Sequence, residues 1–203
     1  MAKNEELFNA IATGKRNDVE QIVNVEVEKG TSVVELLDDS MIPAMRYMGD
    51  RFSKNEIYVP EMLIAARAMQ AGLAIVEPLL ADANHEPKGK VAVGTVKGDL
   101  HDIGKNLVVI MLKGAGYEVD DLGVNCDVEK FKTAVANGAE AVLLSALLTT
   151  TMPYMKEVVD GIASAAKIVI GGAPVTDDYA KEIGADGYGT DANEAVKVLE
   201  QIL

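Results

Sequence analysis

The stretch Gly98-Asp99-Leu100-His101-Asp102-Ile103-Gly104-Lys105-Asn106 has the residue types and spacing that point most directly to chemistry. An imidazole follows a carboxylate by two positions. A carboxylate on one ring nitrogen is how proteins orient the other nitrogen as a metal ligand. The chain has 2 histidines in all, the other being His85, which excludes a site built from several histidines. A metal held by His101 must therefore bring the rest of its coordination sphere with it, as part of a cofactor.

The surrounding pattern places this stretch. It follows a strand-like apolar run over 91–96 and opens a helix-like run over 106–113. His101 thus falls at the carboxyl end of a first strand, the edge where ligands bind in open α/β sheets. Beyond Lys90 the rhythm alternates, with strands predicted over 91–96, 117–122, 141–146, 168–170 and 187–188. Helices are predicted over 106–114, 128–137, 153–165, 177–183 and 193–202. Apolar strands alternating with helices argue for a parallel sheet covered on both faces. The expected class is α/β, a flavodoxin-like (Rossmann-like) five-stranded parallel sheet of order 2-1-3-4-5.

Two more features fall on the same sheet edge. Ser145-Ala-Leu147-Leu-Thr149-Thr150-Thr151 follows the third strand, and Gly171-Gly172-Ala173-Pro174 follows the fourth. Hydroxyls there can bind a polar ligand or brace Asp99. Paired glycines let a ligand lie against bare backbone, because no Cβ intervenes. In the inferred order strands one, three and four are neighbours, so the three loops line one groove. Each feature has a plainer reading by itself. Thr151 could cap the next helix, and Gly-Gly-Ala-Pro could be a turn. Their order and spacing together argue for a site.

The first part of the chain reads as helices. Leu7, Phe8 and Ile11 recur at helical spacing, as do Val19, Ile22 and Val23. Thr31 or Ser32 can cap a third helix, with Glu35 placed for a capping box. That helix carries Val33, Val34, Leu37, Met41, Met45, Met48 and Phe52, with a kink expected at Pro43. A last helix is expected from Pro60 to about Ala81, presenting Met62, Leu63, Ala66, Met69, Leu73 and Val76. These elements predict a four-helix bundle over 1–84, a linker over 85–89 within the polar run DANHEPKG, and the sheet domain over 90–203.

Composition narrows the function classes. At 203 residues and 49% hydrophobic, the chain is long enough for two packed units. No apolar run is expected to span a membrane, and the start lacks the basic and apolar regions of a secretory signal. The one cysteine, Cys126, suits a reducing cytoplasm. A net charge of −13 argues against an extended nucleic-acid footprint.

Asp99-x-His101-x-x-Gly104, then Ser145-x-Leu147, then Gly171-Gly172 resembles the cobalamin-binding signature of methionine synthase-type corrinoid domains. The stretch Met48-Gly49-Asp50-Arg51-Phe52 through Ile57-Tyr58-Val59-Pro60-Glu61, continuing to Ala65-Ala66-Arg67-Ala68-Met69, resembles the last two helices of that family's cap. Nearly the whole chain is covered. The likeness is greatest to the free-standing corrinoid proteins of methanogens and acetogens, which shuttle methyl groups from methanol, methylamines, betaines or aryl methyl ethers.

This resemblance implies a cobalamin or related corrinoid bound base-off/His-on, with His101 as lower axial ligand to cobalt and Asp99 bonded to its other ring nitrogen. Thr151 stands for the hydroxyl that completes the family's ligand triad, where relatives often have Ser. Asp102, Ile103 and Gly104 belong to the cofactor-binding loop, Gly104 letting it turn close under the corrin. Ser145, Leu147 and Thr149 would line the slot for the nucleotide tail, with Gly171 and Gly172 against the nucleotide. Tyr58, Met62 and Phe52 would cover the upper face. The implied role is a methyl carrier, accepting a methyl group on Co(I) from a substrate-specific corrinoid methyltransferase. It passes the group from methyl-Co(III) to a methylcorrinoid:acceptor methyltransferase using tetrahydrofolate or coenzyme M, with a reductive activase as a further partner. No catalytic residue of the chain's own is visible, since no Cys/His set or second pocket motif accompanies the His loop.

Three other readings are weaker. A cobalamin-dependent sensor usually adds a DNA-binding domain and a Trp above the cofactor, and this chain has 0 Trp. The small subunit of a carbon-skeleton mutase shares the His motif but not the helical first part. A receiver or flavin domain needs an Asp ending strand three, where Ser145 and Ala146 stand.

Overall fold

Apolar residues at three- and four-residue spacing fold the first part of the chain into helices. The computed structural model describes residues 4–82, 86–162 and 164–203. They form two units, one running up to Glu86 and including Gly114–Gly116, and one comprising Pro87–Lys113 and Tyr117–Leu203. Residues 83–85 lie outside the described residues, and with them His85, the first residue of the expected linker.

In the first unit α1 spans Glu5–Ala12, with the Asn4 side chain accepting from Leu7 N at 2.9 Å. Helix α2 spans Arg16–Glu28 and α3 spans Val33–Leu36. Ser32, rather than Thr31, is the cap of α3, its hydroxyl accepting from Glu35 N at 3.4 Å. A π-helical turn over Leu37–Met41 leads directly into α4, Ile42–Ser53. Where a kink or joint is expected at Pro43, the structure has this π turn just before it. Proline lacks an N–H and crowds the carbonyl four residues back, and the helix accommodates it by widening, with Ile42 N–H bonded to Leu37 O. Because α3, the π turn and α4 are continuous, the unit has the four expected helical stretches.

Helix α5, Val59–Asp82, closes this unit and carries Pro60 in its first turn and Pro78 near its end. One expectation is corrected here. Val59–Leu80 is a helix long and apolar enough, by length and composition, to cross a membrane, with a mean hydropathy of 1.4. The pattern of burial explains its apolar character differently: Met62, Ala65, Ala66, Met69, Val76 and Leu80 are buried at helical spacing, while Glu61, Arg67, Gln70 and Glu77 are exposed. It is a core helix with one polar stripe, and it packs on α2, α4 and α1.

The second unit is a parallel sheet of order β2-β1-β3-β4-β5. The strands are β1 Lys90–Val96, β2 Glu118–Cys126, β3 Ala141–Ser145, β4 Lys167–Gly171 and β5 Gly187–Gly189. The helices between and after them are α6 Ile103–Gly114, α7 Val128–Ala136, α8 Pro153–Ile162, α9 Asp177–Ile183 and α10 Ala192–Ile202. The expected class and strand order are those observed. Beneath them lies a core of Phe131, Val142, Met155, Ile168 and Ile170.

Two boundaries move in ways that matter for the site. Strand β2 continues to Cys126, four residues past its expected end. Helix α6 begins at Ile103, three residues early, because Asp102 O accepts from Asn106 N at 2.7 Å and closes the first helical turn. Ile103 and Gly104 are therefore helical, which corrects their assignment to the loop.

Candidate functional site

Strands β1, β3 and β4 are neighbours, and their carboxyl ends stand in register: Thr95 beside Ser145, and Ser145 beside Gly171. The loops that follow consequently share one edge. Asp99, on the first, is fully buried at 0% exposure. Its Oδ1 accepts from His101 N at 3.1 Å and lies 2.7 Å from His101 Nδ1. Its Oδ2 accepts from Leu147 N at 2.8 Å, Leu148 N at 3.3 Å and the Thr151 hydroxyl at 2.7 Å. Burial pushes this carboxyl up, but the bonds from Leu147 N, His101 N, the Thr151 hydroxyl and the His101 ring outweigh it and hold Asp99 well below the usual carboxylate range. Asp99 is an ionised carboxylate at neutral pH.

The consequence for His101 is directional. Nδ1 faces an ionised acceptor, so Nδ1 carries the proton and Nε2 presents its lone pair. Nε2 has no hydrogen-bond partner among the described residues, and the side chain is 50% exposed. Leu100 and Ile103, beside His101 in the chain, are 71% and 70% exposed, and Leu147 and Leu148, whose N–H groups hold Asp99, are exposed as well. An oriented imidazole thus stands on a sheet edge whose loops expose apolar side chains, a composition suited to a largely apolar ligand. No three His, Cys, Asp or Glu side chains converge to hold a metal ion among the described residues. His101 can thus offer one ligand only.

The remaining expected residues fall as follows. Thr151 is buried, and its hydroxyl goes to Asp99 rather than to a helix cap. Asp102 is exposed, and its side chain accepts from Asn106 Nδ2 at 3.2 Å at the start of α6. Gly104 lies in the first turn of α6, and a Cβ there would meet no protein atom within 4 Å. Nothing inside the chain requires glycine at that place. Ser145 and Gly171 are half-buried and paired, while Thr149 and Gly172 are exposed. Gly172 has a reason within the protein: at φ +131° its Cβ would lie 1.9 Å from Ala146 O. Its missing side chain lets the loops after β3 and β4 meet, so its first neighbour is protein backbone. Tyr58 and Met62 belong to the helical unit, where Tyr58 is exposed and Met62 is buried, and Phe52 is half-buried there.

Several contributors were not picked out from the sequence. Leu148, and Leu147 in a role other than the slot lining expected of it, hold Asp99 by their backbone N–H groups, which no side-chain pattern reports. Thr95, fully buried, donates its hydroxyl to His101 O at 2.9 Å. A hydroxyl in an otherwise apolar buried strand was the signal for it. Lys105, 2% exposed, reaches Asp121 Oδ1 at 2.5 Å, and Asn125 contacts the loop before His101.

Comparison with known proteins gives the family. Residues 89–197 match a family described as B12 binding domain, and residues 4–77 match a second family of the same description. A corrinoid protein of Desulfitobacterium hafniense is 36% identical over 98% of this chain and 96% of its own length. The trimethylamine corrinoid protein of Methanosarcina barkeri is 36% identical over 100% of this chain and 99% of its own. Among solved structures, the methanol:cobalamin methyltransferase complex of Methanosarcina barkeri includes a chain that superposes with a TM-score of 0.87 and 30% identity, covering 98% of this chain and 80% of that one. With family matches across both units and relatives 36% identical over nearly the whole chain, the chain belongs to the B12-binding corrinoid proteins.

Proposed function

We propose that the chain is a methyl carrier that binds its corrinoid base-off, with His101 Nε2 as the lower axial ligand. The observation that carries this reading is the oriented, half-exposed imidazole of His101, held by a buried carboxylate on the carboxyl edge of the sheet. When bound, the corrinoid would supply a cobalt centre able to take up and release a methyl group. The protein's own contribution is orientation. Asp99 fixes the ring and its tautomer. Thr151, Leu147 and Leu148 keep Asp99 ionised and in place. Nε2 is therefore the nitrogen left to donate to a metal.

Gly104 supports the reading independently. Glycine in a helix costs about 0.5–1 kcal/mol relative to alanine. Here neither backbone conformation nor a protein neighbour demands it. Close approach of a ligand over the first turn of α6 explains it. Asp102, Ile103, Ser145, Leu147, Thr149, Gly171 and Gly172 complete the proposed cofactor surface on the sheet unit. Tyr58 and Met62, on the helical unit, enter through the family resemblance alone. The division into a helical domain over 1–84 and a corrinoid domain over 90–203 is part of this reading.

The implied partners are a substrate-specific methyltransferase, an acceptor methyltransferase and a reductive activase, in the cytoplasm. The match to a component of a methanol:cobalamin methyltransferase complex supports the first of these. The test is anaerobic loading with cobalamin of protein labelled with ¹⁵N-histidine, followed by Co(II) electron paramagnetic resonance. A two-line nitrogen splitting that disappears in His101→Ala is the expected result. A three-line splitting in the wild-type chain would mean that the cofactor's own base holds cobalt, and would refute the axial role.

A further inference from the structure

Strand β2 lies at the edge of the sheet, and its carboxyl half departs from regular pairing. Against β1 its register runs from Val93 with Asp121 to Gly94 with Gly123 and then Val96 with Cys126, so β2 carries extra residues at two points. Left-handed backbone accompanies both irregularities, with Gly123 at φ +80° and Asn125 at φ +53°. Bulges of this kind re-aim groups beside functional sites, and asparagine tolerates the left-handed region better than most residues.

The second bulge turns Asn125 onto the loop that bears His101. Asn125 Oδ1 accepts from Gly98 N at 2.8 Å, and Asn125 N donates to Asp99 O at 3.0 Å. One residue therefore holds both flanks of the peptide unit joining Gly98 to Asp99. The carboxylate of Asp99 is held from the opposite side by the loop after β3. Asp99 is thus fixed from both strands that flank β1: its main chain from β2, its side chain from β3. The first bulge acts on the far end of the same loop. Asp121 Oδ1 takes Lys105 Nζ at 2.5 Å and also accepts from Gly123 N at 2.9 Å. A buried cation in the first turn of a helix opposes the helix dipole and loses hydration. Its pairing with Asp121 ties the start of α6 to β2.

We propose that Asn125 is a positioning residue for His101, acting through the main chain of Gly98 and Asp99. The proposal rests on the reading of His101 as axial ligand. Two substitutions isolate the contact. Asn125→Gly keeps the left-handed backbone and the N–H to Asp99, and removes the acceptor for Gly98. Asn125→Asp restores an acceptor at the same place.

The test uses the full chain in two measurements. In the cofactor-free protein, hydrogen exchange at the Gly98 amide is expected to speed up about tenfold in Asn125→Gly and to return toward wild type in Asn125→Asp. In protein loaded with cobalamin and ¹⁵N-histidine, Asn125→Gly is expected to show a mixture of histidine-split and base-split Co(II) signals, again rescued by Asn125→Asp. A wild-type cobalt signal in Asn125→Gly, or no rescue by Asn125→Asp, overturns the proposal. A wild-type chain without histidine splitting overturns the axial reading and this proposal together, so the two failures are distinguishable.

Discussion

The hydroxyl of Thr151 donates to Oδ2 of Asp99 at 2.7 Å, joining residues 52 positions apart in the chain. With the N–H groups of Leu147 and Leu148 it makes the loop after β3 the receptor for a buried carboxylate. That carboxylate in turn dictates which nitrogen of His101 faces outward. A long-range contact thus decides the proton position on the functional imidazole.

Replacing Thr151 by Val removes this donor while keeping the shape, and leaves a buried charge short of one partner. A loss of roughly 1–3 kcal/mol in unfolding free energy is expected. Thr151→Ser keeps the hydroxyl and should stay within about 1 kcal/mol of the wild-type value, since it deletes a single methyl group. Urea denaturation of the cofactor-free chain checks both, and equal stability of all three proteins would contradict the bond's importance.

Asp99 also predicts an acid limb in stability. Its carboxyl is held below the ordinary carboxylate range in the folded chain. The unfolded chain binds the proton more readily, at a pKa of about 3.9. The contribution is therefore complete above about pH 5 and lost as pH falls through and below the unfolded value. Urea midpoints measured from pH 6 downward should decline less steeply for Asp99→Asn than for wild type. Parallel curves would remove Asp99 from the acid limb.

Gly104→Ala separates folding from ligand binding. A Cβ at this position meets no protein atom within 4 Å. The substitution should leave the cofactor-free protein unchanged or up to about 1 kcal/mol more stable. Cobalamin affinity should fall, because the added methyl projects from the first turn of α6. Equilibrium dialysis against cobalamin reads this, and undiminished affinity would end the argument from Gly104.

Gly172→Ala should behave oppositely. The new Cβ would sit 1.9 Å from Ala146 O, on a backbone at φ +131°. A destabilisation of at least about 1–3 kcal/mol is expected without any cofactor present. Thermal unfolding of the cofactor-free chain is the measurement. Stability equal to wild type would show that the two loops need not touch.

Much of the architecture was legible before any coordinates. A parallel sheet follows from five apolar runs alternating with helices, since parallel strands need helical crossovers, and its order from the match of five strands and five helices to the flavodoxin-like topology. Asp99 and His101 could be singled out by type and spacing, and Thr151 as their third member through the family resemblance. The start of α6 could not, because a backbone bond from Asn106 to Asp102 decides it and leaves no composition signal. The apolar length of α5 is hard to read from the sequence, because Glu61, Arg67, Gln70 and Glu77 interrupt it to the eye, while its remaining residues are apolar enough to keep the mean hydropathy at 1.4.

By itself, then, the sequence determined which chemical groups are available and the order in which the sheet presents them. These are local properties: side-chain type, periodicity and loop position. The tertiary structure decided what those groups do to one another. Asp99 became a buried, ionised acceptor only when the loop after β3 supplied its donors. Asn125 reached Gly98 only because β2 is bulged. Hydrogen bonds between distant segments depend on register and backbone direction, and neither is written in the identity of any one residue.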